Sequence, residues 1–294
     1  MTSSSTPTSK SPAENLCYFN GSIIPLAEVR INPYDIGFLR GYGVFDYLKV
    51  YQGKPFLLKE HLIRFQNSAK ALNLSVPLSI EKIEAIVAEL LQKNNAGTCA
   101  VRLVLSGGVS DSLVQNKELT FLILVEDAHP LAPELYENGA KLITKEYDRP
   151  VPSAKHSNYS FAAAHQDERL KADAVEILYL ADGEVRECST SNIFVIGENW
   201  IATPKENVLI GMTRNYIIDL VNKNLTQEFK MEERRVTALE LFSANECFIT
   251  ASNKEVVPIV AIDGRPIGDG KVGATTRRIM ELFQQSVRKD LNLS

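Results

Sequence analysis

The chain has 294 residues, which is more than most single cores enclose and suits two domains of ordinary size. A peptide-like or disulfide-stapled scaffold is therefore excluded. The 32 lysines and arginines against 36 aspartates and glutamates give a net charge of −4, and nothing in this balance calls for a nucleic-acid partner. Hydrophobic residues make up 45% and charged residues 23%, the balance of a soluble globular protein rather than a disordered or fibrous one.

The sequence shows no membrane or secretion signal. The most apolar run, Phe121–Val125, is far too short to cross a bilayer, and the first residues, MTSSSTPTSKSP, lack the apolar stretch of a signal peptide. The four cysteines are widely separated and spell neither a CxxC redox site nor a zinc site, so free thiols are expected. We therefore predict a cytoplasmic protein without a membrane partner. The cysteines are Cys17, Cys99, Cys188 and Cys247.

The first half of the chain predicts an N-terminal α+β domain over residues 16–127. It follows residues 1–15, whose serines, threonines and prolines leave little to bury and predict a disordered tail. Short β-rich segments come first, then two stretches with apolar residues at helical spacing, then two more strands. The predicted strands are 18–24, 44–51, 100–105 and 119–125, and the predicted helices span 59–72 and 80–91.

The second half predicts a C-terminal α+β domain over residues 140–294, after a proline-bearing interdomain linker at 128–139. Asp182-Gly183 and the turn at 197–199 separate β-rich runs, so a ladder of hairpins is expected. Because strands and helices do not alternate in a βαβ rhythm, the pattern argues against a Rossmann or TIM architecture. The predicted strands include 140–146, 246–250 and 256–262. Helices are predicted over 161–171, 238–242 and 272–289, and a further helix is predicted to start at 211–213.

Several widespread catalytic motifs are absent from the sequence. The chain has no GxxxxGK[ST], HExxH or GxSxG, and its four histidines show no metal-ligand spacing. Nucleotide hydrolysis, zinc hydrolysis and a metal site therefore lose most of their support.

Seven segments, in order along nearly the whole chain from Leu16 onward, carry a family resemblance. With them the sequence resembles the class IV aminotransferases, pyridoxal-phosphate enzymes of fold type IV that include D-amino-acid and branched-chain transaminases. The resemblance implies a two-domain α+β fold with pyridoxal 5′-phosphate as cofactor. The segments are RGYGVFDYLKVY (40–51), HLIRF (61–65), AKHSNY (154–159), EVRECSTSNIFV (184–195), LIGMTR (209–214), FITASNKEVVPI (248–259) and GDGKVG (268–273).

The cofactor's chemistry assigns roles to three of these residues by resemblance. An amine must hold the cofactor aldehyde and shuttle a proton, which the resemblance implies for Lys155. Tyr159 would donate to the phenolate oxygen. A carboxylate must keep the pyridine nitrogen protonated, and Glu187 occupies that position, on a strand where Glu184 and Arg186 are expected to face solvent.

The phosphate dianion calls for a guanidinium together with amide N–H groups at a helix start. Arg64 in HLIRF matches the family's phosphate arginine, and the turn at 211–213 presents such a helix start. Leu209 would pack against the ring. The remaining residues implied for cofactor binding are Met212, Thr213 and Ser252.

The residues that bind the substrate carboxylate differ from the usual pattern. D-amino-acid transaminases of the usual form place an Arg and a His in the loop after the strand that here ends at Leu105, and SGGVSDSLVQ (106–115) contains neither. The RGYG motif resembles that of an atypical subgroup of D-amino-acid transaminases with an arginine at its first position. Arg40 is therefore the candidate for binding the substrate carboxylate, and Tyr42 and Ala251 are further candidates for substrate binding. A surface or interface ion pair is the alternative role for Arg40.

The resemblance implies a homodimeric transaminase with the cofactor between the two domains and a pocket closed by the partner subunit. It would transfer an amino group from a small amino acid, preferably a D-amino acid such as D-alanine or D-glutamate, to a 2-oxo acid such as 2-oxoglutarate. Three alternatives stay open: a branched-chain L-amino-acid transaminase, an aminodeoxychorismate lyase of the same fold, and a non-catalytic binding protein that has kept the fold.

Overall fold

The computed structural model describes residues 15–110 and 118–293, and the chain forms two compact units, Met1–Ala128 and His129–Ser294. The predicted disordered tail lies outside the described residues except for Asn15. Residues 128–139, predicted as a linker, contain helix α4 (Pro133–Glu137). Leu131, Leu135 and Tyr136 pack against the core of the second unit, which places most of this segment within that unit.

The first unit is built on a six-stranded antiparallel sheet in the order β2-β1-β6-β5-β3-β4. The single strand predicted at 18–24 is wrong, because Asn20 and Gly21 take positive φ of 43° and 105° and turn the chain into a hairpin. The strands are β1 (Leu16–Phe19), β2 (Ser22–Pro25), β3 (Gly43–Tyr51), β4 (Lys54–Pro55), β5 (Cys99–Ser106) and β6 (Thr120–Asp127).

Helices α1 (Ile36–Arg40), α2 (Leu58–Ala71) and α3 (Ile80–Lys93) complete the described part of the first unit, with a short 3-10 turn at Leu26–Glu28. The two long helices were predicted from their apolar spacing, and the residues that carry it are buried. These are Leu62, Phe65 and Ala69 on α2 and Ile83, Val87 and Leu90 on α3. Helix α1 was not predicted, since five residues are too few to show a period.

The second unit contains a nine-stranded mixed sheet, ordered β12-β11-β10-β13-β14-β7-β8-β9 with β15 beside β14. Three neighbouring pairs are parallel: β11 with β12, β14 with β7, and β7 with β8. The strands are β7 (Ala140–Glu146), β8 (Glu176–Ala181), β9 (Glu184–Cys188), β10 (Asn192–Ile196), β11 (Trp200–Thr203), β12 (Lys230–Glu233), β13 (Glu246–Ala251), β14 (Glu255–Ile262) and β15 (Arg265–Pro266).

The sheet contains two βαβ crossovers that the sequence did not predict. In one, the helix Met212–Asn224 connects β11 to the parallel strand β12, and the second follows β7. The chain leaves β7, passes through α5 (Ser160–Ala164) and α6 (Gln166–Lys171), and returns as the parallel strand β8. The single helix predicted at 161–171 is therefore wrong, because it is broken at His165. The sheet as a whole is mixed, so the predicted α+β class is confirmed.

Three more helices, α7 (Met212–Asn224), α8 (Ala238–Phe242) and α9 (Ala274–Asp290), flank this sheet. Thr237 and Glu240 form a reciprocal capping box that starts α8. Among the described residues, no helix combines the length and the apolar character needed to cross a membrane.

Candidate active site

Lys155 lies, half-buried, on the loop of the crossover between β7 and α5. Four residues before it, Val151 has a φ of +46°, a left-handed conformation that costs a β-branched residue roughly 1–2 kcal/mol. The Ala154 N–H closes the turn by donating to the Val151 carbonyl at 2.9 Å. A turn with this backbone cost requires contacts from elsewhere in the fold to hold it.

His156 supplies two of these contacts. Its Nε2 lies 2.9 Å from the Pro150 carbonyl, and its Nδ1 accepts from the Asn158 N–H at 3.2 Å. This arrangement uses the neutral tautomer with the proton on Nε2. Burial, with the nearby Arg149 and Lys155 charges, lowers the pKa of His156 and so favours the neutral form. The buried imidazole thus connects the backbone on the two sides of Lys155, a role that the sequence did not reveal.

Tyr159 is half-buried and directly precedes α5. The Asn158 carboxamide oxygen accepts from both the backbone N–H and the hydroxyl of Ser160, which fixes the start of this helix. The Phe161 ring stacks on Tyr147, with 3.8 Å between ring centroids, and so attaches α5 next to the end of β7. Asn158, three residues after Lys155, therefore has a local structural role at the start of α5.

Glu187 is buried on β9, with 6% of its surface exposed. Its Oε1 accepts from Arg149 Nε at 2.9 Å, and its Oε2 accepts from the Leu209 N–H at 3.0 Å. Burial raises the pKa of this carboxyl, and the Arg149 charge, the Leu209 N–H and the Lys155 charge all oppose that rise. A carboxylate has about four lone-pair sites, so two remain that can receive a pyridinium N–H.

The prediction that the neighbouring Arg186 faces solvent is wrong. It is 6% exposed and forms ion pairs with Asp148 at 3.1 Å and with Glu184 at 2.7 Å. Glu184 itself is half-buried. Both faces of β9 are therefore covered, and strand alternation alone could not distinguish Glu187 from its neighbours.

The start of α7 forms a second part of the site. The Asn192 side-chain amide donates to the Leu209 carbonyl at 2.7 Å, and a Cβ at Gly211 would meet the Asn192 Oδ1 at 2.1 Å. The helix then begins at Met212, with Thr213 buried and no acidic residue in its first turn. Unpaired N–H groups and the helix dipole at such a terminus favour an anion, so these residues fit a phosphate group.

On the phosphate-binding role that the resemblance implies for this turn, we expect Gly211→Ala to weaken binding of pyridoxal 5′-phosphate about tenfold, because the added methyl group must displace Asn192 and with it the turn before α7. Fluorescence titration of the apoprotein measures the dissociation constant. Gly97→Ala, at an exposed position where a Cβ meets nothing within 4 Å, is the matched control. Equal dissociation constants for the two variants would contradict this role of Gly211.

A buried ion pair joins the two turns that follow β9 and β13. Lys254 Nζ lies 2.9 Å from Glu176 and 2.7 Å from the Thr190 hydroxyl. Glu176 also accepts from the Thr190 N–H at 2.7 Å and from Ser191. Ala251 is the last residue of β13 and Ser252 follows it in the turn, and both are half-buried. Neither partner of the ion pair was singled out from the sequence, because isolated charged residues are mostly exposed.

Arg64 lies on α2 in the first unit. Its guanidinium makes a two-pronged pair with Asp46, Nε to Oδ2 at 2.9 Å and Nη2 to Oδ1 at 2.7 Å. His61 Nδ1 lies 2.7 Å from the same carboxylate, which is fully buried. Burial alone raises the pKa of Asp46, but the Arg64 and His61 contacts outweigh it and hold that pKa below its usual value. Asp46 thus fixes the Arg64 side chain, a contact that the sequence did not predict.

The candidate substrate residues of the first unit differ in their surroundings. The Tyr42 hydroxyl donates to the Leu72 carbonyl, and its ring packs against the core of that unit. Arg40 is exposed at the end of α1, with one N–H to the Leu39 carbonyl. Residues 111–115 of the loop that replaces the usual carboxylate-binding segment lie outside the described residues.

Comparison with known proteins gives consistent matches over most of the chain. The profile described as Amino-transferase class IV matches residues 43–262. A provisionally named branched-chain-amino-acid aminotransferase of Methanocaldococcus jannaschii is 33% identical over 275 residues, covering 91% of this chain and 94% of that protein. A D-alanine aminotransferase of Staphylococcus aureus is 28% identical over 278 residues, covering 92% of this chain and 97% of that protein.

A solved structure agrees with these sequence matches. The T.th. branched-chain amino acid aminotransferase, complexed with N-(5′-phosphopyridoxyl)-L-glutamate, matches with a TM-score of 0.84 at 27% identity, covering 93% of this chain and 94% of that chain. The predicted family, the type IV fold and the cofactor class, pyridoxal 5′-phosphate, are thereby confirmed. The chain belongs to the class IV aminotransferases.

Proposed function

We propose that this chain is a transaminase that holds pyridoxal 5′-phosphate through Lys155. The observation that carries the proposal is a cluster in the second unit: a half-buried lysine, a buried carboxylate and a helix start whose first turn has no acidic residue. Hydrogen bonds through Arg149, Leu209 and Asn192 link the three parts. When bound, the cofactor supplies a conjugated ring that accepts the electron pair released at the substrate α-carbon.

The side chains of the cluster divide the remaining work. The Lys155 amine would take the proton from the substrate α-carbon and return it to the C4′ carbon of the cofactor, a transfer that needs a positioned base. Glu187 holds a proton on the ring nitrogen, since its buried carboxylate has lone pairs to spare. Tyr159, Leu209, Met212, Thr213, Ser252 and Arg64 are proposed as the other cofactor ligands.

D-amino acids such as D-alanine or D-glutamate are the proposed amino donors, and 2-oxoglutarate is the proposed acceptor. The two-residue gap between Lys155 and Asn158 and the DGKVG segment (269–273) resemble the D-amino-acid transaminases more than the branched-chain ones, which supports the D-preference. The match to a D-alanine aminotransferase over 97% of that protein supports it as well. The L-glutamate adduct in the T.th. enzyme supports an acceptor of the glutamate skeleton.

Branched-chain L-amino acids are the second candidate donors. The relative at 33% identity and the solved structure with a TM-score of 0.84 both carry branched-chain names. The two candidates differ in the side of the α-carbon from which the proton leaves, so the enantiomer of the donor distinguishes them.

A half-reaction screen decides between these donors. The holoenzyme is mixed with D-alanine, D-glutamate, L-leucine or L-valine alone, and loss of the cofactor's yellow absorbance is followed in a stopped-flow instrument. We expect the D-enantiomers to react at least tenfold faster than the L-enantiomers; the reverse order would establish the branched-chain alternative. Release of pyruvate from aminodeoxychorismate, without amino transfer, would instead identify a lyase.

Arg40 is the proposed partner of the substrate carboxylate, with Tyr42 and Ala251 as further candidates. Its guanidinium is exposed and is therefore available to an anion. In the same screen, Arg40→Ala should raise the substrate concentration for half-maximal rate about tenfold or more, because a charge-assisted pair is lost. An unchanged value would return Arg40 to the ion-pair alternative.

A homodimer is the proposed assembly. Four large apolar side chains within residues 31–39 are exposed: Ile31 at 53%, Tyr34 at 66%, Phe38 at 77% and Leu39 at 40%. Such a run is costly in water and suits burial against a second copy. Light scattering should give twice the 32.7 kDa chain mass, and Phe38→Asp should lower it. Leu239→Asp, at an isolated apolar residue that is 80% exposed, is the control; a monomeric wild type would contradict the proposal.

A further inference from the structure

Arg149 makes three hydrogen bonds from one largely buried guanidinium. Nε donates to Glu187 Oε1 at 2.9 Å, Nη1 to the Ala154 carbonyl at 2.8 Å and Nη2 to the Pro152 carbonyl at 2.6 Å. Its side chain is 13% exposed. One planar group therefore joins a carboxylate on β9 to the turn that precedes Lys155, across 38 residues of sequence.

The turn that Arg149 holds is one that needs support. Val151 adopts the left-handed region within it, and the Ala154 carbonyl belongs to the residue directly before Lys155. The planar fork of an arginine can satisfy two carbonyls and a carboxylate at once, whereas a lysine ammonium on a flexible stem has no such fixed geometry. Without the guanidinium contacts the turn would no longer be held in one conformation. The direction in which the Lys155 side chain leaves the backbone would then vary.

The same guanidinium acts on the charge of Glu187. Other groups that face this carboxylate are the Leu209 N–H and the Lys155 ammonium. Burial, with the Arg149 and Lys155 charges, lowers the pKa of the nearby His156 and favours its neutral form, and Arg186 is paired with Asp148 and Glu184. Arg149 is thus the cation in direct contact with the Glu187 carboxylate among the described residues.

From this geometry we propose that Arg149 is a positioning residue that fixes the Lys155 turn and the Glu187 carboxylate in one arrangement. The inference rests on the proposed function, since it assigns Arg149 to the two residues that the proposed reaction uses. Arg149 itself touches no reacting atom and acts through its neighbours.

Hydrogen exchange of the apoprotein tests the positioning of the turn without cofactor or activity. In Arg149→Met, the amides of Val151 and of residues 153–155 should exchange about tenfold faster or more, because two charge-assisted hydrogen bonds to this turn are lost. The matched control is Arg186→Met, which removes a buried arginine pair one residue from Glu187 but leaves the turn's contacts in place. Exchange at the wild-type rate would overturn the proposal.

The pH profile of the holoenzyme tests the effect on Glu187. Removing the cation favours the neutral carboxyl, so the acid limb of kcat should move to higher pH by roughly one unit in Arg149→Met. Arg149→Lys should shift the acid limb of the kcat profile less because it keeps the charge, while still raising hydrogen exchange in the turn. This variant also replaces Arg149→Met if the methionine variant fails to fold.

An acid limb that stays at the wild-type pH in Arg149→Met overturns the proposal. Borohydride mapping of the cofactor lysine tests the proposed function separately, so the two can fail independently.

Discussion

Replacement of Lys155 by alanine is expected to abolish turnover and the covalent attachment of pyridoxal 5′-phosphate. The variant lacks both the amine that holds the cofactor aldehyde and the base that moves the proton. We expect kcat to fall by roughly 10⁴-fold or more, since a positioned proton-transfer group alone contributes 10²–10⁴. Added cofactor should still bind noncovalently, because the α7 start and Glu187 are unaffected.

Borohydride reduction followed by peptide mass mapping is the direct measurement. In the wild type the pyridoxyl group should be found on the peptide that contains Lys155. Lys171→Ala, at an exposed lysine of the same crossover, is the control and should keep full labelling. An adduct on another lysine of the wild type, or turnover by Lys155→Ala, would remove the basis of the proposed mechanism.

Glu187→Gln is expected to leave the cofactor bound but to slow the proton transfer by roughly 10²-fold or more, comparable to the loss of one preorganised electrostatic contact. A neutral amide cannot stabilise a protonated ring nitrogen, so the ring becomes a weaker electron acceptor. The amide also keeps a single oxygen for two donors, Arg149 Nε and the Leu209 N–H. Stopped-flow half-reactions with the preferred donor measure the effect.

Two further variants separate charge from structure at this position. Glu187→Asp keeps the negative charge and should recover part of the lost rate, whereas Glu187→Ala should be at least as slow as the glutamine variant. Apoprotein melting curves record the structural cost of each change, because a buried Arg149 left without its partner destabilises the fold. If the rates of the three Glu187 variants rank by melting temperature and not by the charge at position 187, the proposed role at the ring nitrogen is contradicted.

The pH dependence of the half-reaction follows from the same carboxylate. Because burial raises the pKa of Glu187, its charged form is lost at a higher pH than for an exposed glutamate. The rate should therefore fall as the pH drops through this raised pKa. In a variant that lacks Arg149, the fall should begin at a higher pH.

Much of the local structure could be read directly from the residues. The spacing of Leu62, Phe65 and Ala69 predicted α2, because a helix must bury one face and that face repeats every three to four residues. The final helix was also predicted, and the strands on either side of Asp182-Gly183 were predicted from this turn pair between two β-rich runs. The hairpin at Asn20-Gly21 was missed even though its turn residues carry the signal, since both of its strands are only four residues long.

By itself the sequence determined the family and the cofactor class, since short motifs such as HLIRF and EVRECSTSN carry the family resemblance in residues close together along the chain. Only the tertiary structure decided which charged side chains hold them in place. Asp46 fixes Arg64, Arg149 joins Glu187 to the Lys155 turn, and Lys254 pairs with Glu176. A charged residue in a sequence is expected at the surface, and only folding brings a distant partner close enough to compensate for its burial.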